Sequence, residues 1–152
     1  MKRLVLFAFT LMLLCGCAKE SLHPSLDFTH SGCASGVPET KGIFHEDSKL
    51  YLKYTDKGLA VIRTNAEVNC AIKLENGYVC EVYVEGNTIH YSVHPDWDGP
   101  VANCNCLVKE MSSTVTGLKE GTKYVLDYFC DRKYEPIEFH YKKGLDMHVN
   151  LY

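Results

Sequence analysis

The chain has 152 residues and a formal charge of −3 with its histidines neutral, which suits one domain. Its mild acidity and the lack of any Lys/Arg cluster exclude nucleic acid as an expected partner, because nucleic-acid binding leaves a basic patch in the sequence. Gly-x-Ser-x-Gly, His-Glu-x-x-His and P-loop motifs are absent from the sequence, so we expect neither an enzyme nor a bound cofactor.

The first seventeen residues have the layout of a bacterial export signal. Lys2 and Arg3 precede an apolar run over 4–14, which is too short to span a bilayer as a helix. The segment LCGC at 14–17 then resembles the lipobox of bacterial lipoproteins. The alternative is an ordinary secretory signal that is cut at a small residue, with Cys17 a plain thiol.

The lipobox resemblance implies that Cys17 becomes the mature N-terminus. Residues 1–16 are then a signal peptide, the Cys17 sulfur receives a diacylglyceryl group, and a further acyl chain such as palmitate is added to its amine. Several acyl chains make membrane anchoring stable. Ala18, rather than an Asp, follows the anchor, which favours the outer membrane. The mature chain would have 136 residues and a formal charge of −5, because Lys2 and Arg3 leave with the signal.

Residues 17–47 predict a lipid-anchored tether and lead-in. They contain several Pro, Gly, Ser and Thr residues and show no sustained periodicity, a composition typical of loops. From Ser48 onward the sequence changes to short segments of alternating apolar and polar residues. We therefore predict that the folded domain spans 48–152.

The alternating segments predict an antiparallel β-sandwich of about seven to nine strands, because each sheet can then bury one alternating face. Two pairs of segments are joined by short turns at 56–58 and 85–87, which predict hairpins. The predicted strands are 49–55, 59–64, 78–84, 88–93, 111–116, 123–129, 137–141 and 146–151.

Tyr124 stands at the start of a predicted strand, just after the Gly-containing segment 117–121. This is the position of a tyrosine corner, in which the phenol bonds to backbone a few residues upstream. Together with the runs 68–70, 84–89 and 104–107, the corner makes the chain similar to a known family. The chain resembles the small cysteine-containing, immunoglobulin-like lipoproteins of Bacteroidota-type bacteria. The resemblance implies an immunoglobulin-like sandwich and supplies no activity.

Six cysteines remain after the signal and the anchor are set aside. An even number of cysteines in an oxidising compartment predicts disulfides that stabilise the domain. Six cysteines allow fifteen pairings, and the sequence does not choose among them. The disulfide candidates are Cys33, Cys70, Cys80, Cys104, Cys106 and Cys130.

The segment around Trp97 is a candidate binding loop. Trp97 is the single Trp of the chain, and Asp96 and Asp98 flank it. The indole can stack on a sugar ring, while the carboxylates accept hydroxyl hydrogen bonds or hold calcium. The structural alternative is a Pro/Gly/Asp turn whose Trp covers the end of the core.

Cys104 and Cys106 would share one face of a strand, and with His90 and His94 they form a candidate soft-metal site. Thiolates in an oxidising compartment tend to be consumed as disulfides, and the Cys-x-x-Cys motif of redox proteins is absent. We therefore expect no bound metal.

The sequence favours a non-enzymatic, lipid-anchored binding or structural module of the cell envelope. Its expected partners are membrane lipid at the anchor and an envelope protein or glycan at the domain. Two alternatives stay open: a glycan- or calcium-binding module that uses the Trp97 loop, and a Cys/His metal or redox protein.

Overall fold

A computed structural model of the chain describes residues 25–30, 48–69, 77–96, 99–100, 105–130 and 132–151. This part of the chain is all-β, with two sheets packed together. It contains no helix that is long and apolar enough to cross a membrane. The strands are β1 (Ser25–His30), β2 (Lys49–Thr55), β3 (Gly58–Asn69), β4 (Tyr78–Glu85), β5 (Thr88–Pro95), β6 (Asn105–Val115), β7 (Thr122–Cys130), β8 (Arg132–Lys133), β9 (Ile137–Tyr141) and β10 (Asp146–Asn150).

Each sheet has five strands. The first sheet has the order β1-β6-β3-β2-β10, and the second has the order β4-β5-β7, with both β8 and β9 paired to β7. Adjacent strands of the first sheet are all antiparallel. The two-layer arrangement that the alternating pattern predicts is therefore confirmed.

The core lies between the sheets because successive residues of a strand point to opposite faces. Leu50 and Leu52 of β2 and Ile89 of β5 are completely buried. Burying a side chain of this size contributes about 1.5–3 kcal/mol. The residues next to them in each strand, such as Tyr51 and His90, face outward and remain partly exposed.

Local patterns predict several strands accurately. The predicted bounds of β2 and β9 agree with the structure, and the hairpin turn before β3 lies where Asp56 and Lys57 predict it. Two strands are five or more residues longer than predicted: β3 continues to Asn69, and β6 begins at Asn105. The two strands pair along nearly their whole length.

The tether and lead-in predicted over 17–47 contain a strand at Ser25–His30. These residues form β1, which pairs with β6 at the edge of the first sheet. Thr29 and Ser112 share a hydrogen bond of 2.9 Å between their hydroxyl oxygens. A strand that gains its stability from a partner over eighty residues away leaves little local signal in the sequence.

The prediction of a wholly antiparallel sandwich is wrong at one place. Strands β5 and β7 pair in parallel, with His90 opposite Asp127 and Ser92 opposite Phe129. The sheets of an immunoglobulin domain pair their main strands in antiparallel fashion. Alternation predicts which face a residue takes, and it carries no information about the direction of the neighbouring strand.

Strand β3 changes the face that it buries at Asn65. This residue has a φ of 52°, a left-handed conformation that Asn tolerates better than most residues. Arg63 is buried before this point and Ala66 after it. The paired strand β6 changes in step, since Met111 and Val108 are its buried residues on either side.

Candidate functional site

The structure describes one of the three candidate binding residues of the Trp97 loop. Asp96 is exposed, and its backbone N–H donates a hydrogen bond of 2.7 Å to the carbonyl of Gly77. Trp97 and Asp98 lie outside the described residues, as do four of the cysteines that the sequence analysis singles out: Cys17, Cys33, Cys70 and Cys104.

The disulfides predicted for Cys80 and Cys130 are not present, because both residues carry thiols. The strand register places Cys80 opposite Val93 and Val93 opposite Cys130. Two interstrand spacings of about 4.8 Å separate the two cysteines, and a disulfide spans no more than about 7 Å between Cα atoms. A bond between these two residues is therefore excluded. Cys106 is disulfide-bonded, and no disulfide joins two of the described cysteines.

The candidate metal ligands that the structure describes lie in different layers. His90 and His94 point outward from β5 in the second sheet, because Tyr91 and Val93 between them are buried. Cys106 belongs to β6 of the first sheet and packs against the core. Among the described residues, no group of three or more His, Cys, Asp or Glu side chains could hold a metal ion.

Tyr124 makes the contact expected of a tyrosine corner. Its ring is buried and lies 6.1 Å from the ring of Phe139. Its phenol oxygen accepts a hydrogen bond of 3.0 Å from the backbone N–H of Lys119, five residues upstream. The side chain thus fixes the corner before β7 and has a structural role.

A buried polar contact joins the two sheets. Tyr91 of β5 and Ser113 of β6 share a hydrogen bond of 2.6 Å between their hydroxyl oxygens. Burial raises the pKa of the neighbouring Cys80 thiol, and hydrogen bonds from Tyr91 and Ser113 oppose this effect. A thiol with a raised pKa forms little of the reactive thiolate, so Cys80 is unsuited to redox chemistry.

Arg63 places a cation between the sheets, with only 4% of its surface exposed. Its guanidinium carbon lies 5.0 Å from the centroid of the Tyr134 ring and 6.0 Å from that of Tyr128. Aromatic faces attract a cation most strongly where water is excluded. These contacts help to offset the cost of removing the charge from water.

The outer face of the second sheet carries an aromatic surface. Tyr83 of β4 and Phe129 of β7 are 40% and 39% exposed, and they are the exposed large hydrophobic side chains of the described chain. His90 of β5 lies directly opposite Tyr83. The two rings stack with centroids 4.4 Å apart and planes inclined by 15°.

Asp127 fixes the other side of the histidine. Its Oδ2 lies 3.2 Å from His90 Nδ1, and its Oδ1 lies 3.2 Å from Lys133 Nζ. The parallel register of β5 and β7 brings these groups together, because it sets His90 beside Asp127. One carboxylate thus positions an imidazole from one neighbouring strand and an ammonium from the other.

These side chains surround a surface cleft of about 220 Å³, which we call the Tyr83–Phe129 cleft. Ser92 lies between Glu81 and Phe129 across three strands. Beside the cleft, Glu81 Oε2 lies 3.4 Å from His94 Nε2. The lining residues are Glu81, Tyr83, His90, Tyr91, Ser92, Asp127, Phe129 and Lys133.

A second groove of about 440 Å³ lies beside the ends of β7 and β9, next to Asn87. Its two aromatic residues, Tyr124 and Phe139, are 7% and 6% exposed. They already pack against each other in the core, so their ring faces are not available to a ligand. The smaller Tyr83–Phe129 cleft is therefore the better candidate.

Sequence reasoning did not find this cleft. It considered His90 only as a metal ligand, and it did not consider Tyr83, Asp127 or Phe129. Alternation does predict that these residues point outward. Only the parallel pairing of β5 with β7 shows that they share one patch.

Comparison with known proteins gives the chain no family. No protein-family description, curated protein or solved structure matches it. Its function must therefore be argued from its own residues.

Proposed function

We propose that this protein is a non-enzymatic binding module of the bacterial cell envelope. A lipid on Cys17 holds it at the outer membrane, and the β-sandwich binds its partner through the Tyr83–Phe129 cleft. The lipobox-like segment at 14–17 supports the anchor. The cleft supports the binding role.

The pair of exposed aromatic side chains carries this proposal. Single exposed hydrophobic residues are normal on a protein surface. Tyr83 and Phe129 are instead two large rings that line one cleft on one face of one sheet. Each ring keeps unfavourable contact with water until a partner covers it.

The pairing of the polar groups favours binding over catalysis. Both oxygens of Asp127 already lie close to nitrogens, and Glu81 faces His94. A general base must move a proton to or from its substrate, whereas these paired groups are placed to orient a ligand through their remaining lone pairs. The same pairing holds the side chains rigid, which lowers the entropy cost of binding.

We also propose that disulfides among the cysteines other than Cys80 and Cys130 stabilise the domain, as the even number of these remaining four cysteines indicates. The resemblance to immunoglobulin domains is a separate point, and we limit it to the two-layer architecture. Many sandwich proteins share this architecture without sharing the strand order of an immunoglobulin domain. Intact-mass measurement after alkylation of the unfolded, unreduced protein counts the remaining thiols. Alkylation of all six cysteines other than the lipidated Cys17 would refute the proposed stabilisation.

Photo-crosslinking in the bacterium that encodes the chain tests the binding role. A photoreactive phenylalanine analogue replaces Phe129 in one strain and Tyr51 in a control strain. Tyr51 suits the control because it is also a partly exposed aromatic residue that contacts a histidine, with its ring 5.5 Å from that of His148, and it belongs to the opposite sheet. We expect crosslinked adducts from position 129 only. Equal adducts at both positions, or none at either, contradict the proposal.

Cell fractionation tests the anchor separately. The variant Cys17→Ser has no sulfur to accept the lipid, so we expect it to leave the membrane fraction while the unchanged protein stays. Retention of the variant in the membrane fraction would refute lipid anchoring through Cys17.

The Trp97 loop and the Cys/His site stay predictions from the sequence. Metal analysis of the purified protein, together with calcium titration of Trp97 fluorescence, tests both. A stoichiometric transition metal supports the Cys/His site. A calcium-dependent change in fluorescence supports the loop.

A further inference from the structure

The polar groups around the Tyr83–Phe129 cleft already contact one another. Asp127 lies 3.2 Å from both Lys133 and His90, and Glu81 lies 3.4 Å from His94. An anionic ligand would meet the carboxylates of Glu81 and Asp127, and a cationic ligand would meet the ammonium of Lys133. The charge balance therefore favours a neutral ligand that uses the remaining lone pairs and N–H groups.

The size of the cleft narrows the choice further. Its volume of about 220 Å³ lies below the range of about 300–1,000 Å³ for sites that enclose drug-sized molecules. The cleft is also open to solvent, since Tyr83 and Phe129 are exposed by two fifths. It suits one ring-sized unit of a longer molecule that continues across the surface.

We propose that the cleft binds one neutral sugar ring of an oligosaccharide or polysaccharide. This inference rests on the proposed binding function and names its ligand class. A sugar ring combines a face of C–H groups with a rim of hydroxyl groups. The negative face of an aromatic ring attracts the first, and paired polar side chains hydrogen-bond the second.

The residues of the cleft provide both kinds of contact. Tyr83 and Phe129 line the cleft from the two strands that flank β5, and Ser92 of β5 has a small side chain that leaves room for a ring. Lys133 can donate hydrogen bonds to hydroxyl oxygens. Glu81 and Asp127 can accept hydrogen bonds from hydroxyl groups through lone pairs that their present partners leave open.

The rigid position of the aromatic residues fits this class of ligand. Tyr83 stacks on His90, and Asp127 holds His90 from the other side at 3.2 Å. A small uncharged ring makes few contacts, so its binding depends on surfaces that are already in place. Flexible loops at this position would lose much of that gain to ordering.

Binding measurements with defined carbohydrates test the inference. The lipidated protein, labelled and kept in mild detergent, is applied to an array of neutral oligosaccharides of glucose, galactose, mannose and N-acetylhexosamines. Uronic-acid oligosaccharides, amine-bearing oligosaccharides and an oligolysine peptide are the charged comparisons. We expect retention on neutral oligosaccharides, with an affinity that changes less than twofold between about 0.05 and 0.5 M salt, because ions screen charge interactions only.

Matched variants locate the site. Tyr83→Ala and Phe129→Ala each remove an aromatic wall, and we expect each to weaken the affinity by about tenfold, from the loss of about 50 Å² of buried apolar contact. Tyr51→Ala removes a comparable ring from the opposite sheet, and its affinity should stay within about twofold of the unchanged protein. Thermal unfolding of each variant checks that it folds.

Several outcomes would overturn the inference. These are the absence of any bound neutral oligosaccharide, preference for oligolysine or the acidic sugars, and equal loss in the Tyr51 variant. Loss in Trp97→Ala with full binding in Tyr83→Ala would also overturn it and assign the sugar to the Trp97 loop. A crosslink at position 129 without carbohydrate binding refutes the sugar and leaves the binding function standing, whereas absence of both refutes both.

Discussion

Replacing Gly58 with Ala tests how closely two strands of the first sheet approach each other. Gly58 begins β3 with a φ of 150°, and a Cβ atom there would overlap the carbonyl oxygen of Val115 in β6. It would also lie 3.2 Å from the Cα atom of Thr116. These obstacles are backbone atoms, so rotation of a side chain cannot relieve the contact.

Two effects of the Gly58→Ala substitution lower the stability of the fold. A conformation that only glycine adopts easily costs about 1–3 kcal/mol for another residue, and overpacking a buried position costs about 1–3 kcal/mol more. We therefore expect Gly58→Ala to lower the free energy of unfolding by about 3–4 kcal/mol. Gly86→Ala is the control, because Gly86 has a φ of 60° and no atom within 4 Å of the new Cβ. Its expected cost is about 1–2 kcal/mol.

Urea unfolding of the two variants and the unchanged protein measures the difference, by linear extrapolation to zero denaturant. About 3 kcal/mol is a large part of the 5–15 kcal/mol that stabilises a typical domain. If Gly58→Ala destabilises the protein no more than Gly86→Ala does, the close approach of β3 and β6 at this point is refuted.

Three further predictions concern buried and paired groups. A double-mutant cycle of Tyr91→Phe and Ser113→Ala should give a coupling of about 0.5–1.5 kcal/mol in urea unfolding; additive effects contradict the bond. Burial raises the pKa values of Tyr91 and Tyr128 well above their ordinary value. The unfolded chain therefore loses protons first, so stability falls as pH rises above about 10, and a flat profile in pH-dependent unfolding would oppose this. Asp127→Asn should weaken binding to the neutral oligosaccharides severalfold, while the free energy of unfolding changes by less than about 1 kcal/mol.

The sequence predicts the local elements of this fold well. Alternation with an intervening turn specifies the β2–β3 and β4–β5 hairpins, because both partners and the turn lie within about twenty residues. The segment before Tyr124 predicts the tyrosine corner for the same reason, since the phenol reaches only five residues back, to Lys119.

Long-range pairing is where sequence reasoning failed. Strand β1 has no hairpin partner beside it in the sequence, so a composition rich in Pro, Gly, Ser and Thr appeared to be a tether. The face change at Asn65 was also missed, because it needs β3 and β6 to bend together. Neither feature can be found by examining one segment at a time.

The Tyr83–Phe129 cleft also depends on strand pairing between distant parts of the sequence. Tyr83 and His90 belong to one predicted hairpin, so half of the cleft is local. Asp127 and Phe129 join it only because β7 pairs with β5 in parallel, and no turn or spacing in the sequence specifies that neighbour.

The sequence by itself thus determined the segment expected to carry the lipid, the all-β class and the faces that most strands bury, since these follow from hydrophobic periodicity and short motifs. Only the tertiary structure decided which outward-facing residues stand together. A period of two residues specifies the side of a sheet, whereas the contacts across strands depend on the order, direction and register of the strands. Those properties bring Tyr83, His90, Asp127 and Phe129 into one cleft.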